Sequence, residues 1–249
     1  VLRAREFCEA GPFVLVFGDN VSDTELAPLI ELHEEGLSTV TMAVRRVGDP
    51  RKYGVVCLKD SWVVEVEEKP ERPKSNMAIA GFFCIEPEFL PELERVPERE
   101  DGERYLTDAL DKFASERKVR AWVADFWRVN VNTGLDLLRA NEGLLERKWR
   151  EPEAIEGAEI VPPSHISPSA EVGRGAVVGP HATICEGAVV GPGARVERSL
   201  VRPKAMVGAN AVLKNCIVGE GAEVPPGTRL AGSSGEAIVV PHFSTAGRA

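Results

Sequence analysis

The chain has 249 residues, room for one large or two moderate domains, and its 43% hydrophobic and 28% charged content is that of a folded globular protein. A net charge of −9 and only 6% aromatic residues speak against non-specific nucleic-acid binding and against a base-stacking surface. No apolar stretch reaches membrane-spanning length and no signal-peptide pattern opens the chain, so no membrane partner is expected. The five cysteines (Cys8, Cys57, Cys84, Cys185, Cys216) show neither CxxC nor metal-ligand spacing and read as small buried hydrophobes of a reducing cytoplasm.

Residues 13–20, FVLVFGDN, read as a buried parallel strand that brings the Asp19 carboxylate to its C-terminal edge, where open α/β sheets bind ligands. Residues 25–37 follow as a helix with Leu26, Leu29, Ile30 and His33 on one face and Gly36 near its C-cap. STVTMAV (38–44) is a strand, and KYGVVCL (52–58) and WVVEVEE (62–68) are two strands joined by a turn at 59–61. IAGFFCI (79–85) is a further apolar run. Residues 106–115 form a second helix, whose start Thr107 or Asp108 could cap. VRAWVADFW (119–127) is another strand, with Trp122 and Trp127 as core and domain-interface aromatics, and a helix over 135–149 closes the domain. Alternation of this kind predicts a mostly parallel sheet covered by helices over residues 1–150, joined near 150–158 to a second domain at 151–249.

From Ile160 the pattern changes. Apolar residues recur six apart at Ile160, Ile166, Val172, Val178, Ile184, Val190 and Val196, and two five-residue steps carry the series through Val201, Val207, Leu213, Val218, Val224 and Leu230. A small residue stands two places before each, from Ala158 and Ser164 to Ala222 and Thr228, with glycines such as Gly173, Gly191 and Gly208 between. One large aliphatic and one small residue per six predicts a triangular parallel β-helix of roughly four coils. This half resembles the hexapeptide-repeat, left-handed β-helix of acyltransferases and many sugar nucleotidyltransferases.

Six motifs in order make the first half resemble the nucleoside-diphosphate-sugar pyrophosphorylases, or sugar-1-phosphate nucleotidyltransferases. They are Gly18-Asp19-Asn20 after the first strand, Lys52 to Val56 (KYGVV), Glu68-Lys69-Pro70 (EKP), NMAIAGFF (76–83), YLTD (105–108) and FWRVNVNTGLDLLRAN (126–141). The resemblance implies an α/β fold, an incomplete Rossmann-like nucleotidyltransferase sheet followed by the left-handed β-helix. It further implies Asp19 and the Asn130 position as holders of Mg²⁺, Lys69 on the sugar phosphate, and Gly54, Glu68 and Gly81 as sugar-binding positions. The catalytic pair is then Asp19 and Lys69. Asn130 stands where the family usually carries a second aspartate and offers a carbonyl oxygen without charge. These residue types suit a reaction between two anions, which depends on positioning and charge neutralisation.

The family's GGxGTRLxPLT signature, which cradles the triphosphate, does not occur in the sequence, nor does GxGxxG or GxxxxGK[ST]. A sheet that opens with the FVLVFGDN strand has an unpaired edge, a liability for aggregation or partner binding. The expected activity is formation of an NDP-sugar and pyrophosphate from an NTP and a sugar-1-phosphate. NVNTGLDLLRAN looks most like UTP- or dTTP-using enzymes, placing glucose-1-phosphate or N-acetylglucosamine-1-phosphate ahead of mannose-1-phosphate with GTP. A homo-oligomer through the β-helix is expected. Two rivals stand beside this reading: a non-catalytic sugar-phosphate-binding or regulatory subunit, and a β-helix acyltransferase using His165 or His181 as general base.

Overall fold

A computed structural model describes residues 1–100, 102, 104–148, 150 and 155–247, which form two compact units, Val1–Trp127 and Arg128–Ala249. Residues 151–154 of the expected linker and Trp149 at the expected end of the last helix lie outside the described residues.

In the first unit the elements run α1 (Arg5–Cys8), β1 (Phe13–Val16), β2 (Asn20–Ser22), α2 (Ala27–Glu34), β3 (Val40–Arg46), β4 (Gly54–Lys59), β5 (Trp62–Glu68), β6 (Met77–Ile85), α3 (Leu90–Arg95), α4 (Leu106–Ser115) and β7 (Val119–Val123). Six of the strands form one sheet in the order β1-β6-β3-β7-β5-β4, with β4 also meeting β6. The sheet is mixed, which corrects the expectation of a mostly parallel one: β3 and β7 pair in parallel, while β6 is antiparallel to β1, β3 and β4, and β5 to β4 and β7. Short connections explain this. The segments between β3, β4, β5 and β6 have no room for a crossover helix, and a parallel neighbour needs a crossover of a dozen or more residues.

Central strands carry the uninterrupted apolar runs. All nine residues of β6 and the first five of β3 are buried, because neighbouring strands flank them and helices pack on both faces of the sheet. Phe83, Met42, Val44, Val56 and Val63 pack with Leu110 and Phe113 of α4 on one face. On the other, Leu29 of α2 meets Ala43, Ala80, Phe82 and Cys84, with Leu26, Ile30 and Trp122 packed alongside.

The FVLVFGDN segment departs from its reading as a buried parallel strand. β1 lies at the sheet edge, antiparallel to β6 with Phe13 opposite Ile85 and Val16 opposite Phe82. Phe13 and Leu15 join the core, whereas Val14 and Val16 are each 43% exposed. The run is apolar on both faces, yet only one of them meets a covering layer here. Among the described residues the outer edge of β1 has no strand partner in this sheet, as the unpaired-edge expectation required.

The second unit opens with β8 (Arg128–Asn130) and α5 (Gly134–Lys148) and continues as short strands from Glu159–Ile160 to Ile238–Val240. The strands stack in parallel in three columns. Ile160, Val178, Val196, Leu213 and Leu230 align in one. Ile166, Ile184, Val201 and Val218 align in the second, and Val172, Val190, Val207 and Val224 in the third. This is the parallel β-helix that the six-residue period predicts. Ala176, Ala182, Ala188 and Ala194 at the corners are fully buried. Gly173, Gly191 and Gly208 are required by close approach: a Cβ on each would come within 2.4–2.6 Å of a backbone nitrogen one coil further on. Val240 extends the second column beyond the sequence series, which the irregular segment after Ala231 interrupts. The outward residues of that column include Thr183 and Ile217, and α5 lies over them. Asn141 accepts a hydrogen bond from Thr183 Oγ1 at 2.6 Å, and a Cβ on Gly134 would touch Ile217 and Val239.

Candidate functional site

Three of the predicted site residues meet at one corner of the first unit. Gly54, the first residue of β4, sits directly opposite Glu68, the last of β5. Lys69 then turns away from the strand with φ +44°, while its backbone N–H donates to Tyr53 O at 3.0 Å and ties the turn to the start of β4. The Glu68 side chain is 12% exposed and that of Lys69 59%, with Nζ 3.7 Å from Glu68 Oε1. A largely buried carboxylate is thus paired with an ammonium that faces solvent.

Two residues of the YLTD motif complete this corner. Neither Thr107 nor Asp108 caps α4, which corrects that expectation; Tyr105 is the N-cap residue and provides no side-chain cap. The Thr107 hydroxyl is diverted to Glu68, donating to Oε2 at 3.0 Å, and Asp108 pairs with Arg99. Arg99 stacks 4.6 Å from the centre of the Tyr105 ring, and Lys69 Nζ lies 5.8 Å from the same centre. A side chain at Gly54 would displace its neighbours: a Cβ there would be 2.9 Å from Ile79 Cδ1, 3.0 Å from Thr107 Cγ2 and 3.4 Å from Glu68 Oε2. The Thr107 and Arg99 contacts were not legible from the motif, because they depend on how α4 packs against β5.

Gly81 belongs to a second grouping. It interrupts β6 with φ +83°, and its carbonyl accepts from Phe17 N at 2.9 Å. Asn20 lays its amide across this point, donating from Nδ2 to Ala80 O at 3.2 Å. Asn20 N also donates to Phe17 O at 3.1 Å, closing the turn that carries Gly18 and Asp19. Asp19 is exposed, and no hydrogen bond or ion pair among the described residues holds its carboxylate.

Asn130 lies on β8 of the second unit, half-buried, where its Oδ1 accepts from Arg128 Nη2 at 3.3 Å. Of the β-helix histidines, His165 is exposed. His181 sits between Glu142 and Glu146 of α5, at 3.6 and 3.4 Å. Arg198 pairs with Glu142 at 2.8 Å, so these groups tie α5 to the β-helix. A cleft of about 580 Å³ opens beside it, lined by residues including Arg139, Lys214 and Ser233. All five cysteines are free, and burial raises the thiol of Cys84 to about 11.

The profile of the family described as Nucleotidyl transferase matches residues 1–147, more than half of the chain. The chain belongs to the nucleotidyl transferase family. The remaining coils, residues 160–242, match a profile described as the GMPPB C-terminal domain. Curated relatives of the chain include the "Bifunctional protein GlmU" of Methanocaldococcus jannaschii, 31% identical over 59% of this chain and 35% of that protein. Another is the "Probable mannose-1-phosphate guanylyltransferase 2" of Oryza sativa subsp. japonica, 28% identical over 84% of this chain and 57% of that protein. The chain thus spans about a third to somewhat over half of the length of these two relatives. A Bacillus anthracis protein solved with sucrose, named as a candidate glucose-1-phosphate thymidylyltransferase, shares the fold. Its TM-score is 0.52 at 22% identity, covering 61% of each chain.

Proposed function

We propose that the Gly54–Glu68–Lys69 corner binds the sugar-1-phosphate of a nucleotidyl transfer that yields an NDP-sugar and pyrophosphate. The observation that carries this reading is the pairing of an oriented, largely buried carboxylate with an exposed ammonium beside Gly54 at the start of β4. Glu68 offers acceptor oxygens to sugar hydroxyls, Lys69 offers a compact positive charge to the phosphate, and the bare Gly54 lets the Thr107 and Glu68 side chains close up against the start of β4. In the transfer, a sugar-phosphate oxygen forms a bond to the α-phosphorus of the NTP, and pyrophosphate leaves with the electron pair of the broken bond.

Asp19 fits Mg²⁺ on its chemistry: one solvent-facing carboxylate with both oxygens available leaves coordination positions for phosphate oxygens and water. Bound there, the ion would offset the negative charge of the phosphates. Asn130 is less suited in this arrangement, because its oxygen already accepts from the Arg128 guanidinium. UTP or dTTP with glucose-1-phosphate or N-acetylglucosamine-1-phosphate is the favoured substrate pair. GTP with mannose-1-phosphate is the comparison that the rice relative's name calls for.

The test is pyrophosphate release from Mg²⁺, a panel of four NTPs and the three sugar-1-phosphates. Release with one pairing supports the proposal. Sugar-phosphate binding without release supports the second reading, a non-catalytic subunit. Absence of both contradicts the two readings together.

A further inference from the structure

Thr107 is fixed by two contacts that point its groups in different directions. Its methyl carbon packs where a Cβ on Gly54 would come within 3.0 Å, and its hydroxyl donates to Glu68 Oε2 at 3.0 Å. The residue is 8% exposed and stands in the first turn of α4, whose packing against β5 is secured by the Val66 N–H donating to Asp111 Oδ1 at 2.8 Å. A β-branched side chain has few χ1 choices, and the Gly54 contact restricts them further. The hydroxyl is therefore not a free rotor: it is aimed at one oxygen of one carboxylate.

The consequence falls on Glu68. With Oε2 engaged by Thr107 and Oε1 turned toward Lys69 Nζ at 3.7 Å, the plane of the carboxylate is set before any ligand arrives. A carboxylate left to rotate about its terminal torsion samples a broad, roughly two-fold range and must be ordered on binding. We infer that Thr107 is a positioning residue for sugar-phosphate recognition: it acts through Glu68, and its hydroxyl sets the acceptor direction that reads the sugar hydroxyls. This rests on the function proposed above and adds a residue to it. The Lys69 backbone is anchored by its own N–H bond to Tyr53 O, which does not involve the Thr107 hydroxyl, and the Nζ stays beside Glu68 Oε1, so phosphate recognition is expected to survive loss of that hydroxyl.

Titration calorimetry of the full chain tests this, using glucose-1-phosphate, N-acetylglucosamine-1-phosphate and mannose-1-phosphate, with inorganic phosphate as the sugar-free probe. Thr107→Val keeps the branched shape and removes the hydroxyl; Thr107→Ser keeps the hydroxyl. Thr107→Val is expected to weaken the best-binding sugar-1-phosphate roughly tenfold and to leave inorganic phosphate binding unchanged, with Thr107→Ser within about twofold of the unaltered protein. A merely structural role lowers the melting temperature in Thr107→Val and weakens both ligands alike, which overturns the inference. Equal sugar-1-phosphate affinity in Thr107→Val and the unaltered protein overturns it as well, leaving the site reading intact. If the unaltered protein binds no sugar-1-phosphate, the site reading fails and the inference with it.

Discussion

Gly81 and Asn20 occupy the same space to the point that a Cβ on Gly81 would lie 2.2 Å from Asn20 Nδ2, with Phe17 at 3.0 Å. The close approach lets the Asn20 amide reach Ala80 O, and that bond anchors the turn bearing Asp19 to the middle of β6. Gly81→Ala meets both the clash and a φ of +83°, whose backbone strain alone costs about 1–2 kcal/mol. Thermal unfolding should show a clear drop in melting temperature. The double substitution Gly81→Ala with Asn20→Ala should recover part of it, because removing the amide relieves the clash but not the strain.

Gly54→Ala should behave differently. Gly54 has no positive φ, so alanine is permitted by its backbone, and the atoms in its way are side-chain ends at Ile79, Thr107 and Glu68. The melting temperature should stay within a few degrees, while sugar-1-phosphate affinity falls by about tenfold because Glu68 and Thr107 are pushed from their places. Differential scanning calorimetry and ligand titration on the same sample separate the two effects.

His33 should make the first unit sensitive to acid. It is 5% exposed, with Nδ1 2.9 Å from Thr41 Oγ1 and Nε2 3.4 Å from Glu86 Oε1. Burial lowers its pKa from 6.5, against the opposing pull of Glu86. The unfolded chain therefore binds this proton more readily than the folded one. The contribution of His33 is complete above 6.5 and is lost as pH falls through the window between that value and the lowered folded-state pKa. Melting temperature should decline between pH 7.5 and pH 5.5, and His33→Gln should reduce that decline. An unchanged difference between the two pH values would contradict the assignment.

Leu213 is fully buried in the column it shares with Val196 and Leu230. Leu213→Ala should cost about 2–5 kcal/mol, since a rigid stack of coils collapses poorly around a cavity. Chemical denaturation followed by far-UV circular dichroism gives the value. A cost below about 1 kcal/mol would mean that the coils relax around the gap.

The β-helix was largely legible because its period is covalent: the aliphatic series from Ile160 to Leu230 registers column by column in the stacked strands. Val240 escaped because the segment after Ala231 breaks the spacing. In the first unit, strand positions were readable from apolar runs, but their direction was not, since hydrophobicity marks burial and carries no sign for parallel or antiparallel pairing. The unpaired edge at β1 was expected, but the exposure of one of its faces was not. Val14 and Val16 have the composition of core residues, and only the absence of a covering layer over them in this unit leaves them exposed. Motif order singled out Gly54, Glu68 and Lys69, which the β4–β5 register and the following turn bring together. It gave no hint that the Thr107 hydroxyl leaves the helix end for Glu68, because a threonine at a helix start is ordinarily read as a cap.

The most direct test of the sugar-phosphate corner is calorimetric titration of the full chain with the three sugar-1-phosphates, repeated for Glu68→Ala and Lys69→Ala. The account predicts binding of at least one sugar-1-phosphate, weakened at least tenfold by either substitution, with inorganic phosphate affinity lost only in Lys69→Ala. No binding by the unaltered protein, or binding indifferent to both substitutions, would contradict it.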